Sequence, residues 1–134
     1  MRGMLDRPEQ ELILVVDDAV DARQRLGALL ADRYQVSLVG NDEALQAARA
    51  QPQPDLILLG WQDDYALCRK LCGDPQTRHI PLILVTGRSD VADEQLGFDL
   101  GAADYITKPV SPAIVKARVR THLSLVRVEE LRET

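Results

Sequence analysis

The chain has 134 residues and a formal charge of −5, with 46% hydrophobic and only 4% aromatic residues. That is one domain's length, enough to bury roughly two thirds of its unfolded surface, around a core of Leu, Val, Ile and Ala. A modestly acidic chain suits a phosphate backbone poorly, no apolar stretch reaches the roughly 20 residues that span a bilayer, and the opening MRGMLDRPEQE lacks the apolar run of a secretory signal.

A cytoplasmic domain that binds neither nucleic acid nor membrane is therefore expected. In chain order, the first apolar run is ELILVV (11–16), a predicted strand. A helix follows from Val20 to Leu30, with apolar residues at Leu26, Leu29 and Leu30. YQVSLV (34–39) is the second strand, and Asn41 is expected to cap the next helix, with Asp42 and Glu43 favoured by its dipole. DLILL (55–59) is the third strand. Cys68 and Cys72 then fall on one face of a helix; two thiols do not complete a tetrahedral zinc site, so reduced, half-buried thiols are expected. PLILV (81–85) is the fourth strand, after which Ser89 and Asp90 open the helical VADEQLGFDL, and Gly101 suits a left-handed stop. DYIT (104–107) is the fifth strand, and Ser111–Pro112 opens the last helix with proline at its first position.

Three of the five runs are almost continuously apolar, the pattern of strands covered on both faces. Five β–α units with short loops and right-handed crossovers give an α/β fold: a parallel sheet with helices on both sides. The final segment, SPAIVKARVRTHLSLVRVEELRET, keeps helical composition to the chain end, roughly 35 Å at 1.5 Å per residue. About half of that covers the sheet. The rest reads as a connector, a dimerisation segment or a frayed tail.

In an open parallel sheet, chemistry gathers beyond the carboxyl ends of the strands. Just past the strand ends stand Asp17 and Asp18, Gly60, Thr86, and Lys108 with Pro109. Carboxylates suit a hard cation such as Mg²⁺, while a hydroxyl and an ammonium bind phosphoryl oxygens. Singly, each has a plainer use: Asp18 as a helix cap, Thr86 as a strand terminator, Lys108 as a solvated surface charge.

Taken together, ILVVDDA, PDLILLGW, PLILVTG and GAADYITKPVSP resemble, in order, the successive signatures of the response-regulator receiver domain of two-component signalling. The resemblance implies a flavodoxin-like three-layer sandwich with a five-stranded parallel sheet of order 2-1-3-4-5. It divides the chain into a tail (1–10), a receiver domain (11–123) and a helical extension or linker to an output domain (124–134). It also implies that Asp17 and Asp18 hold Mg²⁺, that Thr86 and Lys108 bind the phosphoryl group, that Pro109 is cis and that Tyr105 is a switch aromatic. Implied partners are a histidine kinase or an output domain, and a second copy through the fourth and fifth helices. The ending RTHLSLVRVEELRE is more loosely similar to connectors that lead into cyclic-dinucleotide output domains.

The chain departs from the family at one decisive place. The family's phosphoacceptor aspartate ends the third strand, where this chain has Gly60. The loop after it, WQDD, is about four residues shorter than usual, so a backbone ligand of the metal is in question as well. Asp63 and Asp64 lie about 10 Å of extended chain beyond Gly60, and a solvated helix cap is the plainer reading of both. The expectation is thus a receiver-type module with no catalytic residue, not an enzyme, that acts by protein–protein interaction independently of phosphorylation. In it, Lys108 neutralises Asp17 or Asp18 and no metal is needed. The alternative is an active receiver phosphorylated on Asp63 or Asp64 with Mg²⁺. A hydrolase built on the same sheet ranks last, for want of a nucleophile at a strand end. A variant residue at position 60 would account for the glycine but not for the short loop.

Overall fold

A computed structural model describes residues 10–60, 65–87 and 91–133. Asp63, Asp64, Ser89 and Asp90 lie outside them. Five strands form: β1 (Leu12–Val16), β2 (Gln35–Val39), β3 (Leu56–Gly60), β4 (Leu82–Thr86) and β5 (Asp104–Thr107). All pairings are parallel, in the order β2-β1-β3-β4-β5. This is the expected 2-1-3-4-5 sheet. Four strands start one residue later than their apolar runs suggested. β3 and β4 also end one residue later, because Gly60 still pairs with Val85 and Thr86 with Thr107. Gly60 and Thr86 therefore belong to the strands themselves.

Three central strands are buried on both faces, which is why their sequences do not alternate. Ile13, Val15, Leu56, Leu58, Ile83 and Val85 point to one side, where α1 (Val20–Leu30) and α5 (Pro112–Glu133) cover them. Leu14, Val16, Ile57, Leu59, Leu82 and Leu84 point to the other, under α2 (Ala44–Arg49) and α3 (Ala66–Gly73). α4 (Val91–Asp99) shares that second face. A Cβ on Gly97 would stand 2.7 Å from Leu84 Cδ1, so glycine is what allows the helix to lie this close. α4 then stops as its sequence indicates. Gly101 takes φ +113°, its N–H bonds the Phe98 carbonyl, and the Ala102 N–H bonds the Gly97 carbonyl, the paired bonds of a Schellman turn.

Asn41 does not cap α2. Residues Asn41–Glu43 instead form a 3₁₀ turn, whose preceding Gly40 N–H is taken by the Glu43 carboxylate at 3.1 Å. The Asn41 N–H donates to Asp18 Oδ1 across 2.8 Å, and that long-range partner decides the local geometry. α5 runs unbroken for 22 residues, about 33 Å. Val115, Val119 and Leu123 form its buried stripe, while Leu125 and Val128 further on are exposed. Cys68 is buried and Cys72 half-buried, both as free thiols. The hydrogen bond between them, together with burial, pushes the Cys68 thiol up. Among the described residues, no helix is long and apolar enough to cross a membrane.

Candidate functional site at the strand ends

Register brings the rim together. Val16 pairs with Leu59, so Asp17, one step on, stands beside Gly60, the last residue of β3. On the far side of β3, Thr86 closes β4, and its carbonyl accepts the Lys108 N–H at 2.7 Å. Asp17, Gly60, Thr86 and Lys108 thus meet at one edge, as the sequence indicated. The Lys108–Pro109 peptide is cis. Tyr105 is half-buried against the second core face.

Asp17 is buried, only 4% exposed. Its Oδ1 accepts the Ala19 N–H at 2.9 Å, an Asx-type turn that leads into α1. Its carbonyl accepts Arg23 Nη1 at 3.1 Å. Among the described residues Oδ2 is buried with no hydrogen-bond donor, and Lys108 Nζ lies 3.9 Å from it. That carboxylate leans toward β3: a Cβ built on Gly60 would lie 2.6 Å from Asp17 Cγ and closer still to Oδ2. Asp18 points elsewhere, with Oδ1 holding the Asn41 N–H and the carboxylate exposed. Thr86 is 1% exposed and engaged in contacts of its own.

A Mg²⁺ ion asks for near-octahedral oxygen donors. The described residues do not fit it: no three acidic, His or Cys side chains cluster to hold a metal. One oxygen of Asp18 is committed to a backbone N–H, Gly60 has no side chain, and the free oxygen of Asp17 already faces an ammonium. Asp63 and Asp64 fall outside the described residues.

A second arrangement was not legible in the sequence. On β5, Asp104 accepts Arg118 Nη1 at 2.6 Å, the Tyr105 N–H at 2.7 Å and a hydrogen bond with His122 Nε2 at 2.9 Å, clamping α5 to the sheet edge. Burial raises the Asp104 carboxyl, but the hydrogen bonds from His122, Tyr105 and Arg118 outweigh it and hold the group below its ordinary range. A spacing of 14 and 18 residues between the partners carries no short-range signal.

The sheet order and this rim define a receiver domain. The response regulator receiver domain family matches residues 13–120, and the chain belongs to that family. It is 41% identical to the response regulator PleD of Caulobacter vibrioides over 129 residues, covering 90% of this chain and 28% of that protein. It is 35% identical to the phosphate regulon transcriptional regulatory protein PhoB of Pseudomonas aeruginosa, covering 83% of this chain and 51% of that one. The chain therefore spans between about a quarter and a half of these relatives. Among solved structures, the signal receiver domain of a signal transduction histidine kinase from Syntrophus aciditrophicus superposes with a TM-score of 0.76 at 36% identity, covering 87% of this chain and 92% of that one.

Proposed function

We propose that this receiver domain works in two-component signalling without being phosphorylated, and transmits its state by binding protein partners. The observation that carries the reading is the occupancy of the acceptor volume. β3 ends on Gly60, and the space a side chain there would need is filled by the Asp17 carboxylate. A glycine offers no oxygen to accept a phosphoryl group, and phosphoryl transfer depends on in-line positioning more than on the mere presence of a nearby carboxylate. Asp17 is unsuited to take over, since its Oδ1 is tied to Ala19 and its Oδ2 is buried facing Lys108. Lys108 then supplies beside Asp17 the positive charge that a metal would otherwise bring. On this reading Gly60 stands where the family's acceptor stands, and the domain holds one signalling conformation. With no phosphate there is no differential affinity to shift its population.

The partners that fit are those of the family, a histidine kinase or an output domain, met in the cytoplasm. α4 and α5 expose single large apolar side chains, among them Phe98 and Ile114, that are available for such contact. The test is incubation with acetyl phosphate and Mg²⁺, followed by intact mass and peptide mapping. An unchanged mass is expected. A stoichiometric, alkali-labile adduct on Asp63 or Asp64 would establish the active-receiver alternative instead.

A further inference from the structure

At the opposite end of the sheet, where β1 and β2 begin, a cavity of about 250 Å³ opens between the segment before β1, the turn after α1 and the middle of α5. Glu11, Arg33, Tyr34, Arg120, Leu123 and Ser124 line it. A smaller void of about 60 Å³ adjoins it, sharing Arg33, Tyr34 and Arg120 and adding Lys116 and Asp32. We propose that this cleft is a binding site for a small organic anion, a phosphate ester or carboxylate on a compact apolar body, with Arg33 and Arg120 as the two arms that grip the oxyanion.

Three features support it. First, the two arginines come from separate elements and line one cavity, and neither enters an ion pair among the described residues. Guanidinium forks match carboxylate and phosphate oxygens in pairs. Second, the local charge opposes that of the chain. Across the two voids the lining carries three basic residues, Arg33, Arg120 and Lys116, against two acidic ones, Asp32 and Glu11, and Glu11 already has a partner of its own. Third, the inner wall is apolar, with Tyr34 at 9% and Leu123 at 3% exposure. An apolar wall with a few convergent polar groups is how small-molecule sites are built, and this volume lies just under the roughly 300–1,000 Å³ of drug-sized pockets. A ligand with one ring or a short chain fits; a dinucleotide does not. Ser124 also lines the cavity and adds a hydroxyl to its wall.

The site is independent of whether the strand-end rim can be phosphorylated. Its test is an amide NMR titration of the full chain with phenyl phosphate, with benzoate and with inorganic phosphate, repeated on Arg33→Gln and Arg120→Gln. Saturable shifts centred on residues 33–34 and 120–124 are expected with an apolar-bodied probe. Inorganic phosphate should bind more weakly, and each variant should weaken binding by about tenfold, the cost of one charge-assisted hydrogen bond. Comparing phenyl phosphate with benzoate tells a phosphate-ester ligand from a carboxylate. The proposal is overturned if no probe saturates below about 10 mM, a value weaker than specific recognition requires. It is also overturned if the shifts centre on Asp17, Thr86 and Lys108, or if either variant binds as the parent does. Both substitutions are at exposed positions, so circular dichroism is expected to show an unaltered fold.

Discussion

The carboxylate of Asp17 and the bare α-carbon of Gly60 are complementary: a Cβ on Gly60 would stand 2.6 Å from Asp17 Cγ and 3.2 Å from its Cβ. Those separations lie inside van der Waals contact, and the obstacle is a short side chain pinned at Oδ1 by the Ala19 N–H. Gly60→Ala should therefore destabilise the fold by about 1–3 kcal/mol, the usual range for overpacking. In an Asp17→Ala background the same change should cost less by about 1 kcal/mol, because contacting residues are not additive. Urea unfolding of the four proteins closes the cycle. Equal costs in both backgrounds would show that the two sites do not touch.

Magnesium should have almost no effect on stability. A ligand that binds only the native state stabilises by RT ln(1 + [L]/Kd), about 4 kcal/mol at a thousandfold excess over Kd. With Lys108 Nζ at 3.9 Å from the free Asp17 oxygen and no clustered third ligand among the described residues, thermal unfolding should be the same in EDTA as in millimolar Mg²⁺. Micromolar binding by isothermal titration would contradict this.

Acid should loosen α5 from the sheet edge. The Asp104 carboxyl is depressed in the folded chain, so it contributes stability that is present above the unfolded carboxyl's value of about 3.9 and is lost as pH falls through the lower folded value. Asp104→Asn should remove that part of the acid sensitivity and leave stability between the two variants most different near neutrality. The measurement is urea unfolding across the acid range. A mutant whose acid limb overlays the parent's would show that Asp104 does not carry it.

Truncation along α5 should reveal where the helix stops contributing to the core. Leu123 is 3% exposed and Val128 is 49% exposed. Leu123→Ala should cost about 2–5 kcal/mol as a core cavity, whereas Val128→Ala should fall within about 0.5 kcal/mol of the parent. Comparable losses at both positions, read by chemical denaturation, would mean that the outer turns are covered in solution.

The sheet was legible because β1, β3 and β4 are near-continuous apolar runs, and the stop after α4 because Gly101 sits where a left-handed residue is needed. Strand order was not in the periodicity; it came with the motif resemblance. The rim residues Asp17, Thr86 and Lys108 follow from strand ends once a parallel sheet is assumed, but the lean of Asp17 toward Gly60 depends on cross-strand register, which a single sequence does not encode locally. Asn41 was misread for the same reason. Its capping chemistry was read from its neighbours, whereas its backbone partner, Asp18, comes from the preceding strand–helix loop. The Asp104 clamp and the arginine cleft likewise join residues far apart in sequence, brought together only when α5 folds back along β5 and β1.

The unbroken α5 has a mechanical corollary. Leu123 is the last fully buried residue described on it, and ten helical residues, about 15 Å, follow. Geometrically, a rigid segment of that length is a lever about Leu123. A tilt of about 10° at the pivot, set by how firmly Asp104 grips Arg118 and His122, sweeps the far end through roughly 3 Å. A rigid helix of this kind converts a change of angle at the sheet edge into a displacement at its far end.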